Sequence, residues 1–127
     1  TYGHLAGDSI LTHLSQTVRN EIRAIDVFAR LGGDEFALIL PGTDTEGATT
    51  LAKRIRNRLV ETSVSLNRKE PIKISASMGL ALLEGDEQHE EGLGKKLFDK
   101  ADEAVYYVKQ NHRGGIALNS AGEIKMI

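Results

Sequence analysis

The spacing of apolar residues changes repeatedly along this chain, and this alternation constrains the fold more than any other feature. Three segments, 8–23, 45–59 and 97–108, carry apolar side chains at three- and four-residue steps, the spacing of one face of an amphipathic helix. Asp44 is the expected N-cap of the second helix, and Gly114 is expected to end the third. Short apolar runs typical of strands lie between and after these helices.

The strand-type segments pair naturally into hairpins. Residues 27–30 and 36–40 flank a Gly-Gly-Asp turn, and residues 116–118 and 124–127 flank a second turn. Residues 72–83 alternate and then become apolar, which predicts one long strand. Residues 84–94 are acidic and glycine-rich and predict an exposed loop. The order helix, hairpin, helix, strand, helix, hairpin indicates an α+β fold with a largely antiparallel sheet.

Composition excludes several classes of protein. The 127 residues suffice for one core. Sixteen lysines and arginines stand against 18 acidic residues, so there is no broad positive field for a nucleic acid polymer. The absence of cysteine excludes disulfides and thiolate metal sites. The sequence also has no apolar stretch of membrane-spanning length and no signal pattern. Together these features favour the cytoplasm as the expected location. A membrane anchor elsewhere in a longer parent chain is compatible with this expectation.

The turn of the first predicted hairpin places two glycines beside two adjacent carboxylates, Asp34 and Glu35. Glycine lets a bulky phosphate approach the backbone amides, and carboxylate oxygens are the ligands that Mg2+ prefers when it also binds phosphates. The same residues are typical of an ordinary tight turn with solvated acids, and because Gly-Gly turns are common hairpin connections, spacing alone favours that interpretation. A phosphate and metal site is the other interpretation that the residues allow.

Four ordered motifs resemble one known family. Residues 32–36, Gly-Gly-Asp-Glu-Phe, match the signature of the GGDEF family of diguanylate cyclases, and residues 2–8, 75–79 and 101–106 are similar to its other segments. The chain is therefore identified as a single GGDEF domain, residues 1–127, lacking the family's N-terminal strand. The resemblance implies a nucleotide-cyclase or palm-like, ferredoxin-like fold, an antiparallel-rich sheet flanked by helices.

The resemblance also implies roles for the residues of the signature. Asp34 would be a metal ligand, for Mg2+ or Mn2+, and Glu35 a second acid needed for activity. Gly32 and Gly33 would turn their backbone towards the substrate phosphates. These roles make the hairpin tip the expected catalytic site.

Three further residues resemble the family's substrate ligands. Asp8 corresponds to its guanine-binding carboxylate, although an acid near a helix start is also favoured by the helix dipole. Lys109 and Arg113 correspond to ligands of the distal phosphates, and four-residue spacing would place them on one face of a continuing helix. The alternative is a solvated helix end. His112 and Gly114 depart from the family's usual Gly-Arg-Asn ending, a departure expected to shift Arg113.

A second site is implied ahead of the hairpin. Arg23 and Asp26 resemble the family's Arg-x-x-Asp inhibitory motif, and Arg54 falls where the family has a further arginine for the same ligand, cyclic di-GMP. An arginine can bind phosphate or guanine in a forked geometry, and an aspartate accepts hydrogen bonds from guanine N-H groups. The alternative is a surface ion pair, which is common.

The resemblance implies an enzyme that condenses two GTP molecules into cyclic di-GMP as a homodimer, under product inhibition and downstream of a sensor domain in the same chain. Because the family's first strand supplies another metal ligand, the chain by itself is expected to be inactive. One alternative is a catalytically silent module that binds GTP or cyclic di-GMP. Another is a purely structural dimerisation domain, which leaves the phosphate-type residues unexplained.

Overall fold

The computed structural model describes residues 3–32, 35–61, 63–64, 72–73, 76–83 and 91–127. Its helices are α1 (Gly3–Arg19), α2 (Thr45–Glu61) and α3 (Leu93–Asn111). Its strands are β1 (Val27–Gly32), β2 (Glu35–Ile39), β3 (Ser63–Val64), β4 (Ile72–Lys73), β5 (Met78–Ala81), β6 (Ile116–Ser120) and β7 (Glu123–Met126). None of the helices in these ranges is long and apolar enough to span a bilayer.

The chain divides into two compact units. The first comprises the described residues of Thr1–Thr43 and Lys53–Ser75, and the second those of Asp44–Ala52 and Ala76–Ile127. Helix α2 begins as predicted, because the Oδ1 atom of Asp44 accepts a hydrogen bond of 2.8 Å from the amide of Gly47. The predicted apolar face of this helix is buried: Ala48, Leu51, Ala52, Ile55 and Leu59.

The first unit contains the predicted hairpin. Strands β1 and β2 are antiparallel, with Val27 opposite Ile39, and the register shifts close to the tip. On one face the rings of Phe28 and Phe36 stack, with centroids 5.3 Å apart and an angle of 8°. The guanidinium of Arg19 lies over Phe28, 5.3 Å from its centroid. This stack ties the end of α1 to the hairpin that carries the signature.

Helix α1 is displaced from its predicted range of 8–23. It begins at Gly3 and ends at Arg19. Beyond it, the carboxylate of Asp26 accepts a hydrogen bond of 2.8 Å from the amide of Arg23. Because the side chain of Asp26 gives the backbone of Arg23 a hydrogen-bond partner outside a helix, α1 does not extend to Arg23 although the apolar spacing does.

The second unit is built on a three-stranded sheet in the order β5-β6-β7. Strands β5 and β6 are parallel, and β6 and β7 form the predicted antiparallel hairpin. Helix α3 connects β5 to β6, as a parallel pair requires. The core between helix and sheet contains Ala104, Val108 and Ala117, all with 0% exposure. Asn119 of β6 is also buried, and its amide donates to the carbonyl of Lys100 at 3.0 Å.

The prediction of one strand over 72–83 is wrong. Strand β4 pairs with β3, whereas β5 begins only at Met78 and pairs with β6. Met78, the first residue of β5, lies opposite Ile116, the first residue of β6. The predicted loop also ends earlier than expected, since α3 starts at Leu93 after Gly92, whose φ is 71°. Residues 84–90 of that loop lie outside the described ranges.

Candidate functional site

The hairpin tip requires glycine. Gly32 has φ of 151°, a conformation that side chains rarely adopt, and no heavy atom lies within 4 Å of the position a Cβ would take. It pairs with Glu35, which is exposed at the start of β2. The backbone at Gly32 is therefore open to an approaching ligand. Gly33 and Asp34 lie outside the described residues, so their roles stay predictions.

Asp8 lies in the second turn of α1 and is exposed. Because the helix begins at Gly3, its first turn contains no acidic residue. The effect of the helix dipole on a side chain falls off within that first turn. The helix-dipole explanation for Asp8 is therefore weakened, and guanine binding stays a prediction.

Lys109 and Arg113 do not share a helix. Helix α3 ends at Asn111, and the last helical hydrogen bond runs from the amide of His112 to the carbonyl of Val108 at 2.7 Å. The prediction that both cations project from one face of a continuing helix is wrong. Lys109 lies in the last turn of α3, and Arg113 lies in the following connection; both are exposed.

Residues 112–115 form a β-turn that explains this ending. The amide of Gly115 donates to the carbonyl of His112 at 3.0 Å, and Gly114, the third residue, has φ of 87°. Arg113 is not among the residues with positive φ, so the turn is of type II with Arg113 at its second position. Glycine at position 114 permits this conformation. The unusual ending therefore places Arg113 on a defined turn.

The type II turn is attached to the sheet at two points. The amide of Gly114 donates to the Oγ atom of Ser77 at 3.0 Å, and the amide of Met78 donates to the carbonyl of Gly115 at 3.1 Å. Gly115 is buried, and a Cβ there would lie 2.6 Å from the Cε of Met126. The role of Ser77 was not predicted from the sequence. Its position inside the predicted strand of residues 72–83 gave no indication of its partner.

Arg23 and Asp26 form the predicted pair. The Nη2 atom of Arg23 donates to Oδ1 of Asp26 at 2.8 Å, and Nε donates to Oδ2 at 3.3 Å. The same Nη2 contacts the carbonyl of Pro41 at 2.7 Å and Oγ1 of Thr43 at 2.9 Å. The side chain of Asp26 is 2% exposed, whereas that of Arg23 is 52% exposed. A ligand could therefore reach the guanidinium far more easily than the carboxylate.

The ion pair affects both ionisations. The hydrogen bond from Arg23 lowers the pKa of Asp26 and, in turn, raises the pKa of Arg23. Both groups are therefore charged at neutral pH. The guanidinium of Arg23 is therefore a positive group held in place by the negative carboxylate of Asp26.

Arg54 is bound to the segment that carries Arg23. Its Nε donates to Oε2 of Glu21 at 2.7 Å, and its Nη2 donates to the carbonyl of Glu21 at 3.2 Å. Arg58, one turn further along α2, donates to Oε1 of the same carboxylate at 3.1 Å. Glu21 thus links the predicted inhibitory residues Arg23 and Arg54. Spacing gave no sign of it, because the contact spans more than thirty residues.

Within the ranges that the structure describes, no three His, Cys, Asp or Glu residues are grouped to hold a metal ion. The predicted ligand Asp34 lies outside those ranges. A metal site at the hairpin tip therefore stays a prediction.

Comparison with known proteins identifies relatives along nearly the whole chain. The family model for the diguanylate cyclase GGDEF domain matches residues 1–115. The chain is 40% identical over 116 residues to the bifunctional diguanylate cyclase/cyclic di-GMP phosphodiesterase MucR of Pseudomonas aeruginosa, covering 90% of the chain and 16% of MucR. It is 34% identical over 119 residues to diguanylate cyclase A of Treponema denticola, covering 94% and 31%. The chain thus spans a third or less of these relatives.

Solved structures show the same fold. The crystal structure of the GGDEF domain of PA1120 (YfiN or TpbB) from Pseudomonas aeruginosa superposes with a TM-score of 0.80 at 32% identity, covering 93% of the chain and 71% of that structure. The α+β arrangement inferred from periodicity is confirmed by this match. With a family model that matches nine tenths of its residues, the chain belongs to the diguanylate cyclase GGDEF-domain family.

Proposed function

We propose that the intact protein containing this chain is a diguanylate cyclase, which condenses two GTP molecules into cyclic di-GMP with release of pyrophosphate. The observation that carries the proposal is an unaltered Gly-Gly-Asp-Glu-Phe signature whose first glycine, at the end of β1, adopts a conformation that side chains rarely take. The relatives named above as diguanylate cyclases support it. The supply of GTP and the absence of cysteine favour the cytoplasm as its location.

In this proposal the tip binds the phosphates. Gly32 and Gly33 present backbone amides, and Asp34, with Glu35 beside it, would hold a divalent cation, Mg2+ or Mn2+. Carboxylate oxygens are the donors such cations prefer. When bound, the cation offsets negative charge on the phosphates.

The remaining ligands orient the substrate. Asp8 accepts hydrogen bonds from guanine N-H groups, and Lys109 and Arg113 bind the distal phosphates and stabilise the departing pyrophosphate. The 3′-hydroxyl of one GTP attacks the α-phosphorus of the other, so two domains must meet as a homodimer. Catalysis then rests mainly on positioning and on stabilisation of charge.

Synthesis is tested by incubating the full-length protein with GTP and Mg2+ and measuring cyclic di-GMP. We expect product from the wild type and none above background from Asp34→Ala, because the proposed cation ligand is lost. Asp99→Ala, which removes an exposed carboxylate on α3, is the control and should retain activity. A wild type that binds GTP without forming product would instead identify a silent receptor.

We further propose that Arg23, Asp26 and Arg54 bind the product and inhibit the reaction. The half-exposed guanidinium of Arg23 offers a charged, forked donor, and Arg54 of α2 donates to the carbonyl of Glu21, two residues before Arg23. Arg23→Ala should raise the product concentration needed for half-inhibition about tenfold or more, since hydrogen bonds to charged groups contribute about 1.5–3 kcal/mol. Lys125→Ala, an exposed cation on β7, should leave inhibition unchanged. Equal inhibition of Arg23→Ala and wild type would exclude this site.

A further inference from the structure

The contact between Ser77 and Gly114 has no role in the function proposed so far. Ser77 precedes β5 and is partly buried, and its Oγ accepts the amide of Gly114 at 3.0 Å across 37 residues of chain. A type II turn is closed by the hydrogen bond that its fourth residue donates to the carbonyl of its first, and its third residue has no partner within the turn. The amide of Gly114, the third residue, therefore needs a partner outside the turn, and Ser77 supplies it.

This hydrogen bond controls where Arg113 is placed. Arg113 lies between His112, the last capping residue of α3, and Gly114, which Ser77 holds. On the other side, Met78 binds the carbonyl of Gly115 at 3.1 Å. The turn that carries Arg113 is thus fixed to the start of β5 by two adjacent residues of one strand segment.

Helix α3 itself does not fix the position of Arg113. Gly79 packs against the backbone of α3, so that a Cβ at residue 79 would lie 2.5 Å from the amide nitrogen of Val105. That contact fixes the middle of the helix, two turns before Arg113. Since α3 ends at Asn111, the guanidinium depends on the turn for its orientation.

We propose that Ser77 is a positioning residue for triphosphate binding: its hydroxyl holds the 112–115 turn so that Arg113 is presented to the distal phosphates of GTP. The inference rests on the proposed function, which assigns those phosphates to Arg113. Without the hydroxyl, the amide of Gly114 loses its acceptor and the turn can exchange conformations. Arg113 then spends part of its time away from the phosphates, and affinity falls by that fraction.

The test compares two ligands of the full-length protein. Guanosine α,β-methylene triphosphate keeps the distal phosphates but cannot release pyrophosphate, and GMP lacks those phosphates. We expect Ser77→Ala to weaken binding of the triphosphate analogue about threefold to tenfold, the range of one neutral hydrogen bond. Affinity for GMP should not change. Ser77→Thr keeps the hydroxyl and should restore the wild-type ratio of the two affinities.

Arg113→Ala and the double variant complete the experiment. Arg113→Ala should weaken binding of the triphosphate analogue but not of GMP. Adding Ser77→Ala to Arg113→Ala should have no further effect on either affinity, because the side chain that Ser77 positions is already gone. If Ser77→Ala does not fold, as judged by its thermal unfolding midpoint, Ser77→Cys replaces it with a similar volume and a weak acceptor.

The outcomes separate the two proposals. Ser77→Ala with unchanged analogue affinity, or with equal losses for the analogue and GMP, overturns the positioning role while Arg113→Ala still supports the phosphate site. Arg113→Ala with unchanged analogue affinity overturns the phosphate site itself, and with it the role of Ser77.

Discussion

Gly79 shows how one residue without a side chain fixes the packing of two elements. It lies in β5, and a Cβ there would meet the backbone carbonyl of Ala101 and the backbone amide of Val105 in α3. These are main-chain atoms that cannot move aside without shifting the helix. Because glycine occupies the position, the helix and the strand approach more closely than side chains would allow.

Gly79→Ala should therefore destabilise the domain. We expect a loss of about 1–3 kcal/mol, the usual cost of overpacking, seen as a lower urea midpoint with α3 losing protection against hydrogen exchange. Gly94→Ala is the matched control, since Gly94 lies in α3 with no atom within 4 Å of its Cβ position. That control should gain about 0.5–1 kcal/mol from helix propensity. A neutral Gly79→Ala would contradict the close approach.

Ala121 has a positive φ of 52°, the single non-glycine residue of that kind in the described part of the chain. With Gly122 at φ of 80° it forms the two-residue turn between Ser120 and Glu123, as in a type I′ hairpin. Ala121→Asn should raise stability by about 0.5–1 kcal/mol, because asparagine tolerates this conformation better than alanine. Thermal unfolding measures the gain. Gly122→Ala should shift the midpoint in the opposite direction.

The secondary-structure elements show which sequence signals were sufficient. Helix α2 and the two hairpins follow their predicted segments, because capping, helical periodicity and turn glycines are local signals. The prediction of one long strand over 72–83 is wrong because the segment forms two strands, and the second of them, β5, is set by its pairing with β6, which lies far along the chain. The same holds for the site: Arg23 and Asp26 are neighbours in sequence, but Glu21 and Ser77 act through partners more than thirty residues away.

The start of α2 depends on one capping hydrogen bond. Asp44→Ala removes the acceptor that binds the amide of Gly47 at 2.8 Å, so we expect a loss of about 0.5–2 kcal/mol. Urea unfolding of the variant measures this loss. Thr50→Ala, an exposed change in the middle of the same helix, should be neutral or slightly stabilising. Equal stability of Asp44→Ala and wild type would show that the cap contributes nothing.

At the scale of the whole molecule, ionised groups make stability depend on pH. The pKa of Asp26 is lowered in the folded protein by Arg23, whereas the unfolded chain has the ordinary value of about 3.9. The unfolded state therefore binds more protons in acid. The stabilisation is present above about pH 4 and is lost as the pH falls through the lower, folded value.

Asp26→Asn should make the protein less sensitive to acid. We expect the wild type to lose stability below about pH 4 more steeply than the variant, because the variant has no carboxylate to protonate at this position. Urea midpoints across that pH range measure the two slopes. Asp99→Asn, at an exposed carboxylate paired with Lys95, controls for the general effect of removing one acid. Parallel slopes for Asp26→Asn and wild type would contradict the pKa shift.

Asn119 has a consequence for how the second unit finds a unique alignment. Three apolar residues, Ile116, Ala117 and Leu118, precede it in β6 and are buried. Such a uniform run would tolerate sliding by two residues, since each face would stay apolar. The amide meets the carbonyl of Lys100 and the carboxylate of Glu103 in one alignment, and a slipped strand would leave it buried without a partner, at about 1–3 kcal/mol. The side-chain amide of Asn119 thereby destabilises shifted registers of β6 that burial of apolar residues alone would permit.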